Sequence, residues 1–189
     1  MNDLPDNFIY KQNFLTNHKQ IFQSLQNDLD RKSYSIKMFG KIIMQPRLVS
    51  FYGDNWVCYK YSQTTFCGSG RSPLLENIKK CIIDIYPEAI TINSVLCNLY
   101  RDGSDSMWWH ADDEAELWKD PYIYSVSLWV SRNFQIKSKL SKQKYSIILE
   151  DNSIIIMWSK SQIDWLHSIS KTKTIIWPRI NLTFRTIVK

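Results

Sequence analysis

The chain has 189 residues, of which 44% are hydrophobic, and carries a formal net charge of +6. That length suits one domain with a sizeable core, and that hydrophobic share excludes a disordered chain. Five Gly and six Pro argue against linkers or repeats, no apolar run approaches the roughly 18 residues of a membrane span, and residues 1–7 lack a secretory signal pattern.

In chain order, Thr16 and Asn17 are N-cap residue types for a helix that carries Ile21, Phe22, Leu25 and Leu29 on one face. Residues 47–66 are rich in aromatics and read as strands and loops. A second helix starts at Ser72-Pro73, presents Leu74, Leu75, Ile78, Ile82 and Ile85, and stops before Pro87. From Ile90 the hydrophobic period changes from about 3.6 to 2. Strands are expected over residues 91–99, 122–130, 134–138, 145–149, 153–158, 165–169 and 179–188. Many short strands in succession predict a mainly β protein with N-terminal helices (α+β), its core a barrel or double-sheet jelly roll. A single domain over 1–189 is expected, with helices and a lid in 1–89 and the strand-built core in 90–189. The protein is expected to be a soluble, intracellular monomer, cytoplasmic or nuclear, with no membrane partner. Cys58, Cys67, Cys81 and Cys97 show no CxxC spacing, which predicts reduced, buried or half-buried thiols in such a compartment. The positive charge suits a polyanionic partner without requiring one.

Only three histidines occur: His18, His110 and His167. Asp112 follows His110 by two residues, and on an extended segment such a pair points to one side. Two imidazoles and a carboxylate on one face of a metal form the facial triad of non-haem Fe(II) oxygenases, with His167 as the remaining ligand. Alone, a His-x-Asp pair is weak. The last strand adds to it, because Arg179, Asn181, Thr183 and Arg185 alternate with Ile180, Leu182 and Phe184. The two Arg stand roughly 20 Å apart along the strand at about 3.3 Å per residue, and arms leaning together leave a gap for a short dicarboxylate. A polar strand face in water remains the alternative.

Several separated motifs then resemble one family. Asn98-Leu99-Tyr100-Arg101-Asp102-Gly103 with His110-Ala111-Asp112-Asp113-Glu114 is similar to the N-x-Y … H-x-D-x-[DE] segment of AlkB-type Fe(II)- and 2-oxoglutarate-dependent dioxygenases. Arg179-Ile180-Asn181-Leu182-Thr183-Phe184-Arg185 resembles that family's R-x-N-L-T-F-R segment, and Gln162 to His167 resembles the stretch supplying the distal histidine. Gln45-Pro46-Arg47-Leu48, Tyr52-Gly53-Asp54 and Tyr59-Lys60-Tyr61-Ser62 resemble its nucleotide-recognition lid. The likeness spans about residues 36–187. Asp151-Asn152-Ser153 stands where many relatives have a His-Gly turn, and Asn tolerates the left-handed conformation such a turn needs.

The resemblance implies Fe(II) on His110, Asp112 and His167. It implies 2-oxoglutarate held by Arg179 and Tyr100 at the distal carboxylate and by Asn98, Asn181 and Arg185 at the nearer one, with Thr183 beside them, and O2 as the other cosubstrate. It implies a double-stranded β-helix and oxidative demethylation of N-alkylated bases of the 1-methyladenine or 3-methylcytosine type, with release of formaldehyde, succinate and CO2. The partner would be nucleic acid, DNA ahead of RNA, in direct-reversal repair. Tyr61 matches the aromatic that stacks on the flipped base, and Glu114 or Asp113 would lie near the edge of that cationic base. Arg47 and Tyr59 match other lid positions. Lys37-Met38-Phe39-Gly40-Lys41 looks like the hairpin finger of duplex-specific members, with Phe39 as the wedge, and a plain hairpin is the other reading. Arg132, Lys137, Lys139, Lys142 and Lys144 form a candidate phosphate-contacting run. Trp108 and Trp109 are expected in the core or the site wall. An RNA demethylase, an oxygenase acting on protein and a non-catalytic nucleic-acid-binding homologue remain open.

Overall fold

The computed structural model describes residues 4–38, 41–61, 64–117, 120–174 and 176–188, with backbone alone for 36–38, 41 and 61. The chain opens on a strand rather than a helix: β1 (Phe8–Lys11) pairs with β12 (Ser153–Met157). Its alternation is too short to show in sequence. Helix α1 (His18–Asp28) follows, with Asn17 at the N-cap in a left-handed conformation and no side-chain cap bond. Next come β2 (Ser35–Met38), β3 (Lys41–Met44), β4 (Leu48–Gly53), β5 (Cys58–Tyr61) and β6 (Thr64–Cys67). Helix α2 (Pro73–Ile85) starts where Ser72 and Pro73 predict, with Ser72 Oγ accepting from the Leu75 N–H at 3.3 Å.

A 3-10 turn over Pro87–Thr91 delays the first core strand, so β7 is Ser94–Tyr100. The remaining strands are β8 (Met107–His110), β9 (Ile123–Trp129), β10 (Arg132–Ser138), β11 (Lys144–Leu149), β13 (Trp165–Ile169) and β14 (Arg179–Arg185), with a one-turn helix α3 (Ser161–Asp164) before β13. All pairings are antiparallel and form two main sheets, β1-β12-β9-β14-β7-β4 and β11-β10-β13-β8. Antiparallel order in two facing sheets agrees with the jelly-roll expectation.

Strand alternation sorts the core into two layers. Val126, Leu128, Ile154, Ile156, Ile180, Leu182 and Phe184 pack outward against Phe22, Leu25, Leu75, Ile78 and Ile82 of the helices. Ile123, Ile155 and Met157 point inward and meet Phe134, Ile136, Ile147, Leu149 and Ile169 of the smaller sheet. Helix α1 has 11 residues, fewer than the ~12–15 at which isolated helices become stable, so its buried face holds it. Leu25, Leu75, Ile78 and Ile82 are at most 1% exposed, each worth about 1.5–3 kcal/mol. Asn152 turns at φ 56°, and its side chain bonds the backbone of Leu15 in both directions.

The expectation of four reduced thiols fails. Cys58 and Cys67 are direct cross-strand partners in the β5–β6 hairpin, with Cα atoms 4.1 Å apart, and form a disulfide. The pairing depends on hairpin register, which sequence spacing does not reveal, and compartment reasoning alone cannot anticipate it. Cys81 and Cys97 are free. Thiol titration of the denatured, unreduced protein is therefore expected to find two thiols, and four after reduction. Four before reduction contradicts the pairing.

Candidate metal centre

The inward faces of β7, β14 and β13, with the end of β8, enclose one cavity between the sheets. His167 and His110 are register partners, with ring centroids 4.1 Å apart. Asp112 lies just beyond β8, and its backbone N–H donates to Gln162 Oε1 on α3 at 2.8 Å. Ligand atoms of His110, Asp112 and His167 all lie within 4.8 Å of one another, the only such group among the described residues. His110 Nδ1 is 2.8 Å from the Trp108 carbonyl, an arrangement that leaves Nε2 free to ligate.

Burial pushes the His167 pKa down to about 3, helped by its neighbour His110, and burial also lowers that of His110. Burial opposes the charge of Asp112, but Arg185, His167 and His110 outweigh it and hold its pKa below the usual carboxylate range. Neutral imidazoles beside an ionised carboxylate are the protonation states a divalent transition-metal ion needs. Below the ordinary 6.5 the unfolded chain takes up a proton that folded His167 refuses. Stability therefore falls with pH, by up to about 1.4 kcal/mol per pH unit for that group. Asp112 acts in the same sense at lower pH, since the stability given by its lowered pKa is lost as pH falls below the ordinary 3.8. Metal-free protein is expected to melt at steadily lower temperature between about pH 6.5 and pH 4, and added metal should raise the melting temperature at each pH where it binds. A flat melting profile in metal-free protein contradicts this electrostatic picture.

Strand β14 is buried at every position, which removes the solvated-face alternative. Cross-strand register sets Arg179 beside Tyr100 and Asn181 beside Asn98, and all four line the cavity with the three candidate ligands. Arg179 is 1% exposed, donates from Nη2 to Ser127 Oγ at 2.7 Å, and leaves Nε and Nη1 buried without partners. Its guanidinium lies 5.2 Å over the Tyr100 ring. An uncompensated buried cation is costly, and burial lowers its pKa to about 10. Asn181 Nδ2 donates to Ser125 Oγ at 2.8 Å, and Thr183 Oγ1 donates to Asn181 Oδ1 at 3.2 Å. Arg47 is buried and gives Nε to Asn98 Oδ1 at 2.8 Å. Gly103 allows the loop after β7 to approach the segment after β13, since a Cβ there would stand 2.5 Å from the Thr172 carbonyl oxygen.

Arg185 does not reach freely toward Arg179. Its Nη2 pairs with Asp112 Oδ1 at 3.2 Å and its Nη1 donates to the Tyr59 hydroxyl at 2.9 Å. That hydroxyl donates to Glu114 Oε1 at 2.7 Å, while Glu114 Oε2 is buried without a partner. Burial, then the nearby Asp112 charge, raises the Glu114 pKa. Asp113 faces away, 63% exposed at its side chain and paired with Lys139 at 3.4 Å, so the inner acidic position belongs to Glu114. Arg132 is not part of a phosphate-facing run. It is buried, and its guanidinium donates to the carbonyls of Asp102, Asp105 and Ser170. Lys137, Lys139, Lys142 and Lys144 do line one open groove. Phe39 lies outside the described residues, as does the Tyr61 side chain.

Residues that sequence reasoning passed over complete the site. Ser125 and Ser127 anchor Asn181 and Arg179, and their only signal is a pair of alternate hydroxyls in an apolar strand. Gln162 fixes Asp112. Strand β8 carries a bulge: Met107 and His110 pair with Ile169 and His167, so three steps on β8 match two on β13. Both flanking residues line the cavity, and Trp108 is expelled to solvent, 68% exposed, rather than buried.

A fit to a metal and a dicarboxylate is thus present in the donor set and in the orphaned Arg179 nitrogens. The family model for the 2OG-Fe(II) oxygenase superfamily matches residues 7–185. The chain is similar to "Alpha-ketoglutarate-dependent dioxygenase alkB homolog 3" of Homo sapiens, 36% identical over 153 residues, covering 76% of this chain and 52% of that protein. It is similar to "DNA oxidative demethylase ALKBH2" of Homo sapiens, 32% identical over 180 residues, covering 89% of this chain and 68% of that protein. A solved structure titled "The structure of OsALKBH1" aligns with a TM-score of 0.69 at 18% identity, over 97% of this chain and 100% of that one, a likeness of fold. The chain spans about half the length of the alkB homolog 3 proteins it matches.

Proposed function

The chain belongs to the 2OG-Fe(II) oxygenase superfamily as a homologue of ALKBH2 and ALKBH3, and from this we propose that it oxidatively demethylates N-methylated bases in nucleic acid. One observation carries the reading: a His-Asp-His cluster and a buried Arg179 with two unpartnered nitrogens line the same cavity. In this reading His110, Asp112 and His167 hold Fe(II), and Arg179, with Tyr100 beside it, receives the distal carboxylate of 2-oxoglutarate. Asn98 and Asn181 lie next to the other end, joined by the unpartnered Nε of Arg185. When bound, Fe(II) with 2-oxoglutarate supplies the activation of O2 that C–H oxidation of an N-methyl group requires.

The chain's own contribution is positional. Arg185 orients the Asp112 carboxylate, and Gln162 fixes the backbone that carries it. The apolar walls of Leu96, Met107, Phe134 and Ile169 keep water from the reacting centre. Tyr59 holds Glu114 with one carboxylate oxygen unspent. A base methylated at a ring nitrogen is cationic, and a partly desolvated carboxylate favours it over the neutral base. Tyr61 as the stacking ring and Phe39 as the duplex wedge remain part of the same proposal.

For the polymer we propose DNA, with 1-methyladenine and 3-methylcytosine as lesions and direct-reversal repair as the role. Support comes from a relative named a DNA oxidative demethylase that matches 89% of this chain, and the lysine groove suits phosphate. Side-by-side turnover of single-stranded DNA, duplex DNA and RNA carrying either lesion tests this. Faster formaldehyde release from DNA is the expected result, and equal or faster release from RNA overturns the choice of polymer.

A further inference from the structure

The bulge in β8 has placed an exposed indole beside a metal-ligand strand. Strand β8 is the outer strand of the smaller sheet, and among the described residues no strand pairs with its free side. Trp108 stands there 68% exposed, although Trp is among the costliest side chains to leave in water. Its own carbonyl oxygen lies 2.8 Å from His110 Nδ1, which fixes the position of that backbone relative to the site. The adjacent Trp109 is half-buried, and Lys137 Nζ sits 4.6 Å from its ring centroid. Lys137 belongs to the open groove lined by Lys139, Lys142 and Lys144. The exposed indole is thus the chain neighbour of Trp109, which meets the positively charged groove through Lys137, and it lies two residues from a site ligand.

We propose that Trp108 is a stacking platform for a nucleobase flanking the one that enters the cavity, with the adjoining lysine groove receiving the phosphates of that strand. The inference rests on the nucleic-acid reading above and extends it to an undamaged neighbour of the target. The occupant is argued from charge and shape together. A peptide or apolar partner would use the indole but not four lysines, and a bare polyanion would use the lysines but not the indole. Only a strand that alternates π-faces with phosphates uses both. Stacking is sequence-tolerant, so the platform adds affinity for the strand without selecting its sequence.

The test compares wild type, Trp108→Ala and Trp108→Phe by fluorescence anisotropy, using a single-stranded oligodeoxynucleotide, its RNA counterpart and an abasic strand of equal length. Trp108→Ala is expected to weaken binding of the base-bearing strands by roughly 5- to 100-fold, and Trp108→Phe to recover most of that loss. Affinity for the abasic strand, which keeps the phosphates and lacks the π-faces, should not change. Equal binding of a base-bearing strand by wild type and Trp108→Ala overturns the platform, as does an equal loss on the abasic strand. Undetectable wild-type binding to every strand overturns it too. Formaldehyde release by wild type from a methylated oligonucleotide is measured separately, so that failure of the demethylase reading is distinguished from failure of the platform.

Discussion

Replacing His167 with alanine is expected to lower divalent-metal affinity by more than about 100-fold, since groups behind the ligands alone are worth 10–100-fold, and to abolish turnover. The side chain is 6% exposed and its ring packs between His110 and Phe134. Its loss removes one of three converging ligand groups without touching the helices or the outer core layer. Asp112→Ala is a less clean test, because it leaves the buried Arg185 without its carboxylate. Removing one partner of a buried pair costs about 3–5 kcal/mol, so Asp112→Asn is the better companion. Calorimetric titration with Mn(II), alongside thermal melting, separates loss of metal from loss of fold. Wild-type affinity in a folded His167→Ala protein contradicts the ligand assignment.

Arg179→Met is expected to raise the 2-oxoglutarate requirement by roughly 10- to 150-fold, the equivalent of about 1.5–3 kcal/mol for a charged hydrogen bond. The ligand-free protein should behave otherwise. Arg179 makes one side-chain bond to Ser127 and keeps two buried nitrogens unpartnered. Its contacts with Ser127 and the Tyr100 ring are offset by the burial of its charge, and a methionine of similar length relieves that desolvation cost. The melting temperature without ligand should hold or rise, while the stabilisation given by added 2-oxoglutarate with Mn(II) should largely disappear. Isothermal titration and melting curves read both effects. An unchanged 2-oxoglutarate affinity removes Arg179 from the cosubstrate site.

Much of this site was legible before any coordinates, for physical reasons. The period-2 pattern of Arg179 to Arg185 separates an apolar face from a polar one, and burial of both faces follows once helices cover one side and a second sheet the other. His110, Asp112 and His167 were findable because histidine is scarce in this chain. What stayed hidden depends on register and on tertiary direction. The β8 bulge moves Met107 and His110 to one face despite their odd spacing, and expels Trp108. Arg132 reads as one more cation in a basic run, yet loop carbonyls consume its donors. Asp113 and Glu114 are neighbours in sequence, and the Tyr59 hydroxyl bond and the exposure of Asp113 show which faces inward. The Cys58–Cys67 bond is a property of hairpin pairing.

The most direct measurement is mass spectrometry of a single-stranded oligodeoxynucleotide carrying one 1-methyladenine, incubated with the protein, Fe(II), ascorbate and 2-oxoglutarate. The proposed function predicts a strand with the mass of the unmethylated sequence, together with formaldehyde and succinate in equal amounts. The conversion should be absent when 2-oxoglutarate is omitted and absent with His167→Ala. A methylated strand left unchanged by metal-loaded, folded wild-type protein, in DNA and RNA alike, would contradict the account at its centre.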